Sequence, residues 1–407
     1  MRAKNRFKRP PASTAAQMDA NSATRALSIS HASLYVYVSR GLIRSTPDPS
    51  NSRSCLYATA DIQALVARKR QTRRPRVAVA NALDYGLPVL KTRITHFEDN
   101  HCYYRTREAV AFSRKATLED AARLLWDTGD TNPFSGLQFD PCQVLGWQTI
   151  ATGYAPERAT DRAMLLLSLL TPHEVTRAGR PGLHAFQAAA HLLAALTVAV
   201  AGTGAAFSGP IHRAVSVAWH RPRAAEIIRR ALVLLADHEL NASTFAVRVV
   251  ASTGAGLAHC AIAGLAAMSG PRHGGATERL RALLDEIDAC GDADSAVETR
   301  LNRGETLPGF GNSVYRDADP RGAELIAAVK LDTTMAALLK SARLLAGFEP
   351  NVDFGLLAIE RAFDLPKGSA LALFALGRSV GWIAHAFEQR TTGALIRPRA
   401  EFVLEQA

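Results

Sequence analysis

From about residue 78 onward, apolar residues recur at three- and four-residue spacing, the period of helices with one buried face. The stretch ATERLRALLDEIDACG sets Leu280, Leu283, Leu284 and Ile287 on one side and stops at Gly291. ATLEDAARLLW opens with Thr117 as a predicted N-cap and Asp120 three residues on, the pattern of a capping box. DPRGAELIAAVKL starts with Asp319 as cap and Pro320 at the first helical position. The apolar run from Ala188 to Phe207 approaches membrane-spanning length, but alanine dominates it and His191, Thr197 and a Gly-Thr-Gly interrupt it. It reads as a buried helix at a subunit contact, and no membrane association is expected. Strand-like alternation is scarce, so the predicted fold class of residues 78–407 is all-α.

The first 75 residues follow another pattern. A basic arm, MRAKNRFKRPPAS, leads into two short helical stretches with a turn near Ser28–Ser30 and a stop at Gly41. STPDPSNSR reads as a turn-rich loop, SCLYA as a short strand, and TADIQALVARKR as a helix capped by Thr59. QTRRPRV, with Pro75, is the predicted linker. Helix, turn, helix, basic wing and helix is the layout of a winged helix-turn-helix, and the segment resembles the MerR-type DNA-binding head. Ser28 stands where such turns usually carry glycine, and the first helix is poor in large apolar residues.

Charge sharpens that division. The whole chain of 407 residues carries 48 Lys and Arg against 37 Asp and Glu. Residues 1–74 alone hold 14 basic residues against Asp19, Asp48 and Asp61, so the entire excess of +11 lies there. A separate module for a polyanion, attached to a neutral body, is the expectation. The five cysteines form no Cys-x-x-Cys pair and the N-terminus lacks the apolar core of a secretory signal, which points to a reducing, cytoplasmic setting and no zinc site.

Candidate chemistry is concentrated in the last 170 residues or so. DHELNAST (237–244), SGPRHGGATE (269–278), PGFGNSVYRDADPRG (308–322) and PNVDFG (350–355) set histidine, arginine and aspartate beside glycine. LGRSVGWIAHAFEQ (376–389) and LIRPRAEF (395–402) follow. Together these resemble citrate synthase, whose corresponding stretches have the forms DHExNAST, GPxHGGAxE, PGFGHxVYxxxDPR, PNVDF, GRxxGWIAHxxEQ and RPR, in that order. The resemblance covers roughly residues 94–402 and is thin before 230. It implies a large helical domain with a smaller one at roughly 276–376, preceded by a head like that of a bacterial subgroup.

The condensation of acetyl-CoA with oxaloacetate needs a base for a weakly acidic methyl group, a donor to the thioester oxygen, a donor at the ketone, and cations for two carboxylates. Asp353 suits the base if burial raises its pKa, although it could instead cap the helix that follows. His273 lies just before a helix start, where the macrodipole favours a neutral imidazole able to donate. The resemblance assigns His238, Arg321, Arg378 and Arg397 to oxaloacetate and citrate, with the last arginine reaching the partner's site in an obligate homodimer. It also assigns Pro308, Gly309, Phe310 and Gly311 to the loop approaching coenzyme A. His385 reads as a packing residue.

Asn312 stands where citrate synthases normally have the histidine that bonds the ketone, and Ser313 where arginine is usual. Asparagine donates a hydrogen bond but delivers no proton, so a slow enzyme is expected. No cofactor or metal is expected beyond the acyl-CoA substrate, acetyl- or propionyl-CoA. The alternatives are 2-methylcitrate synthase, with propionyl-CoA, and a weakened enzyme serving as a ligand-responsive DNA-binding regulator.

Overall fold

A computed structural model describes residues 17–65, apart from 28, 32–33, 35–36, 39–41, 50 and 64, and residues 90–400, apart from 154–156, 172–180, 203–205, 312–313 and 316–317. The expected turn residue Ser28, the linker at 71–77, Asn312 and Ser313 lie outside the described residues. The chain divides into two compact units, residues 1–91 and 92–407.

In the first unit, helix α1 (Ala20–Leu27) begins after Asp19, whose carboxylate accepts from the Ser22 amide and hydroxyl, both at 2.9 Å. Strands β1 (Gln17–Met18), β2 (Ser45–Asp48) and β3 (Asn51–Ala58) form an antiparallel sheet ordered β1-β3-β2. Most of the segment expected to be a loop is therefore β2 and the start of β3. Pro47 is tolerated because β2 lies at the sheet edge, where a missing amide costs no second ladder bond. Thr59, expected as a cap, is already helical. Ala23, Leu27, Leu34, Ile43, Tyr57 and Ile62 make the small core.

The second unit is helical, but it opens with a sheet that the sequence pattern did not suggest. Strands β4 (Thr95–Glu98), β5 (His101–Tyr104) and β6 (Arg107–Glu108) pair antiparallel in that order. Asp99 and Asn100, with φ of 47° and 67°, make the tight turn between β4 and β5. Thr95, Cys102 and Tyr104 point inward, too few positions for a clear two-residue period.

Helices α2 (Ala109–Ser113) and α3 (Leu118–Trp126) follow, and α3 has the capping box expected at Thr117 and Asp120. Strand β7 (Gln138–Phe139) pairs with β8 (Phe207–Ser208). Between them lie α4 (Trp147–Gly153), α5 (Ala159–Ser168) and α6 (Leu183–Ala201). The run expected to be one helix to Phe207 thus ends at Gly202, in the left-handed conformation.

The remaining helices are α7 (Ile211–Ala218), α8 (Ala225–Leu235), α9 (Ala242–Ser252), α10 (Leu257–Met268), α11 (Ala276–Cys290), α12 (Ala293–Asn302), α13 (Pro320–Ala327), α14 (Thr333–Ala346), α15 (Val352–Ala362) and α16 (Ser369–Thr392). The caps expected at Asp319, Pro320 and Gly291 are all present.

Helix α16 is the central post. It packs against α3, α6, α8, α9 and α10, and it is apolar nearly all round because nearly all of it is buried. Only α6 and α16 are long and apolar enough to cross a membrane among the described residues, and 67% and 100% of their apolar windows are buried inside the protein.

Two glycines let α8 approach α16. A Cβ on Gly377 would lie 2.7 Å from Leu235 Cβ, and one on Gly381 would lie 2.5 Å from the Ala236 carbonyl oxygen and closer still to Asp237 Oδ1. The approach lets the Gly381 amide donate to that carbonyl at 2.8 Å. On another side, Gly264 of α10 faces the Trp382 ring, which a Cβ would meet at 2.7 Å.

The start of α15 is held by the loop before α13. Asp319 accepts from the Arg321 amide at 3.0 Å, from Arg321 Nε at 3.0 Å and Nη2 at 2.8 Å, and from the Val352 amide at 3.1 Å. Gly322 permits the crossing, since a Cβ there would sit 2.5 Å from the Asn351 carbonyl.

Gly381→Ala should destabilise the body by about 1–3 kcal/mol, the usual cost of overpacking. Urea unfolding read by circular dichroism checks this, with Gly393→Ala as a control for the loss of a terminal left-handed glycine, where a Cβ meets nothing within 4 Å.

Candidate active site

Three helix starts and one helix end converge here. α8 ends just before Asp237 and His238, Asn241 caps α9, the turn from Gly270 to Gly275 precedes α11, and Asn351 caps α15. Asp353 is therefore not the cap of α15; that role belongs to Asn351, whose Oδ1 accepts from the Asp353 amide at 3.0 Å. The Asp353 carboxylate is left for other work.

Asp353 Oδ1 is sealed from solvent and has no hydrogen-bond partner among the described residues. Burial pushes its pKa up to about 7, with Asp319 adding to the rise and Arg321, Arg378 and Arg279 opposing it. A carboxyl poised between its two forms at neutral pH can take a proton and return it.

His273 sits in the turn before α11, with Nε2 2.8 Å from Ser243 Oγ and its ring edge-on to Phe374 at 5.9 Å. Burial, aided by the positive charge of Arg378, lowers its pKa to about 4, so the imidazole is neutral at pH 7. Ser243 Oγ is 2.8 Å from Asn241 Oδ1 and accepts from Trp382 Nε1 at 3.2 Å. An indole N–H only donates, so the single hydroxyl hydrogen goes either to Asn241 or to His273.

His238 Nε2 lies 3.0 Å from the Tyr315 hydroxyl, and Phe97 of β4 packs edge-on against the ring at 4.9 Å. Burial, then Arg321, Arg378 and His273, hold its pKa well below the usual histidine range. Arg321 is buried, with Asp319 gripping its Nε and Nη2 side. Arg378 is buried over the Phe374 ring at 5.1 Å, donates from Nε to the Leu235 carbonyl at 2.9 Å, and forms no ion pair among the described residues. Phe374 thus has Arg378 on its face and His273 at its edge. The two guanidinium groups act on both His238 and Asp353, and His273 acts on His238, so these five side chains lie within electrostatic reach of one another.

The other expected residues are placed differently. Arg397 is exposed in the segment beyond α16 and takes no part in the hydrogen bonds of this cluster. The glycines of Pro308–Gly311 brace the start of α15: the Asn351 amide donates to the Gly309 carbonyl at 2.9 Å, and the Gly311 amide donates to the Glu349 carbonyl at 2.9 Å. Gly309, at φ 80°, also fits against Leu280, which a Cβ would meet at 2.5 Å. Phe310 packs on Phe354 with ring centroids 5.2 Å apart. Among the described residues, no three His, Cys, Asp or Glu side chains gather to hold a metal.

Sequence reasoning missed a buried polar chain beside the cluster. Asp237 Oδ2 lies 3.4 Å from His385 Nε2, and His385 Nδ1 lies 3.3 Å from Arg248 Nη1. Arg248 continues to Gln389 at 2.8 Å and to Glu388. Burial would raise the Asp237 pKa, but His385 and Arg378 outweigh it and hold the carboxyl below its ordinary value. His385 does pack, fully buried, yet as a polar link rather than filler. The signal was present as an Asp and a His inside two apolar stretches, a combination that needs a partner when buried.

Residues 203–399 match the family "Citrate synthase, C-terminal domain". A putative citrate synthase 2 of Mycobacterium tuberculosis is 42% identical over 194 residues, which is 45% of this chain and 52% of the relative. A 2-methylcitrate synthase of Shewanella oneidensis is 32% identical over 210 residues, 49% of this chain and 55% of the relative. The chain thus spans about half the length of the curated relatives it matches. The structure of a Thermoplasma acidophilum citrate synthase in ternary complex with carboxymethyl coenzyme A and oxaloacetate superposes with a TM-score of 0.67 at 24% identity, covering 79% of this chain and 95% of that one. The Thermotoga maritima citrate synthase gives 0.65 at 24% identity, with the same coverage of each chain. From residue 203 to 399 the sequence thus resembles the C-terminal domain of citrate synthase, and the chain has the fold of solved citrate synthases.

Proposed function

We propose that the chain condenses an acyl-CoA, acetyl- or propionyl-CoA, with oxaloacetate, giving citrate or 2-methylcitrate and free coenzyme A. The carrying observation is the Asp353 carboxyl, with Oδ1 sealed from solvent and unpartnered among the described residues and a pKa of about 7, within electrostatic reach of two buried guanidinium groups, one of which also acts on the neutral His273 imidazole.

Asp353 takes the proton from the carbon beside the thioester carbonyl, and His273 donates an N–H to the thioester oxygen as negative charge develops there. That role needs the His273 hydrogen on Nδ1, so Ser243 turns its hydroxyl hydrogen to Nε2 while accepting from Trp382. The enolic carbon attacks the ketone of oxaloacetate, whose carboxylates lie against His238, Arg378 and the part of Arg321 that Asp319 leaves free. Arg397 from a partner chain completes the carboxylate contacts in a homodimer. Asn312 donates to the ketone without supplying a proton, so the alkoxide formed there takes its proton from water, and a water molecule then hydrolyses the thioester and leaves its proton on the departing coenzyme A thiolate. Pro308–Gly311 lies along coenzyme A.

A second reading concerns the first unit, which we infer binds duplex DNA beside or instead of serving turnover. The excess charge of residues 1–74 and the β2–β3 hairpin following a helical stretch support it.

Recombinant protein should release free thiol from acetyl- or propionyl-CoA only when oxaloacetate is present. Asp353→Ala should cut the rate by about 10²–10⁴-fold; a folded native protein silent with both thioesters overturns the reading. Because the base works ionised, kcat/KM should fall tenfold per pH unit below about 7 and level off above it.

Stability should move the other way. Asp353 has a higher pKa folded than unfolded, so its ionisation costs stability above the unfolded value, with the full cost reached above about pH 7. Asp353→Asn should therefore melt higher than the native protein at about pH 8, and the difference should vanish near pH 4. For the head, gel shifts should show binding that weakens steeply with salt. Replacing Arg68, Lys69 and Arg70 by Gln should flatten the log–log slope by roughly 0.9 for each phosphate no longer neutralised.

A further inference from the structure

A groove of about 930 Å³ opens on the body between the β5–β6 turn, α2 and the first turns of α3, and none of its lining residues belongs to the cluster around Asp353. Arg105, Arg107, Lys115 and Arg123 line it, with Tyr103 and Phe112 supplying apolar surface. Its carboxylates are Glu108, Asp120 and Asp127.

Two of those carboxylates are already engaged. Glu108 caps α2, accepting from the Val110 amide at 3.0 Å and the Ala111 amide at 2.6 Å. Asp120 closes the capping box of α3, accepting from the Thr117 amide and hydroxyl, both at 2.9 Å. Arg105 is spent at the other end of α3, donating to the Leu124 carbonyl at 2.8 Å and the Leu125 carbonyl at 2.9 Å.

Arg107, Lys115 and Arg123 are not engaged. None of the three side chains has an ion-pair or hydrogen-bond partner among the described residues, and Arg123 Nε is sealed from solvent without one. An orphaned buried guanidinium nitrogen costs free energy, and like charges converging on one groove add to that cost. An anion with more than one acid group relieves both.

The walls are also fixed in advance. Arg229 of α8 donates to the carbonyls of Ser113, Arg114 and Ala116, the strip that carries Lys115. A site whose backbone is held before the ligand arrives has only side chains to order on binding.

We propose that this groove binds a small polyanion bearing two or more phosphate or carboxylate groups, held by Arg107, Lys115 and Arg123. The volume is in the range of small-molecule sites and large enough for a metabolite.

Titration calorimetry on the full chain tests this, with inorganic pyrophosphate in one arm and tricarballylate in the other to separate phosphate from carboxylate recognition. Three proteins are compared: native, Lys115→Gln with Arg123→Gln, and Arg68→Gln with Lys69→Gln in the basic head. At least one probe should bind the native protein and the head variant alike, and should lose affinity by about tenfold or more in the groove variant, as loss of charged hydrogen bonds implies. The groove variant should melt no lower than the native protein, because neither substituted side chain has a partner elsewhere in the fold among the described residues and both belong to the unrelieved charge of the groove. Equal affinity in native and groove variant, a loss confined to the head variant, or no binding of either probe overturns the proposal. Should the double variant misfold, Arg107→Gln, exposed on strand β6, carries the same test.

Discussion

One buried carboxylate, that of Asp319, joins the parts on which the site depends. It accepts from the Arg321 amide and guanidinium and from the Val352 amide, so it fixes the first turn of α13, the first turn of α15 and the direction of Arg321 together. Removing it would leave a buried guanidinium unpaired and free the helix that carries Asp353, a loss well beyond one hydrogen bond.

The charge pattern of the enclosure follows from that pairing. Arg321 is answered by Asp319, and Arg378 by Asp237, which itself leans on His385. Asp353 is the remaining carboxyl, and no cation is committed to it. Desolvation therefore decides its state and holds the proton on it until about neutral pH. The histidines, by contrast, are desolvated near buried cations, His238 by Arg321 and Arg378 and His273 by Arg378, and both stay neutral. A half-ionised acid beside neutral imidazoles is what proton transfer at carbon requires, and it arises from how few counter-charges are buried.

Architecture serves the same end. Gly377 and Gly381 bring α8 against α16, and the end of α8 delivers Asp237 and His238 next to Arg378 on α16. The β4–β5 hairpin, although far from the motifs in sequence, sends Phe97 onto His238 and Tyr315. The first unit carries the entire charge excess and none of these groups.

Six short motifs in one order were enough to read the resemblance to citrate synthase, the helical class and most residues of the cluster, because glycine, proline and capping residues act locally and can be seen locally. The caps at Thr117 and Asp319 and the stop at Gly291 are cases of this kind. The three strands from Thr95 to Glu108 were not legible, since four-residue strands with one buried face barely establish a period. Nor were the Asp237–His385–Arg248 chain and the groove cations, whose members lie on separate elements and meet only after packing. Residue type is written in the chain, and so is the chemistry each group can perform. Which groups lose water, and which find a partner once they have, depends on neighbours far away in sequence, so only the tertiary structure decided that Asp353 is poised between its two forms at neutral pH while His273 stays uncharged.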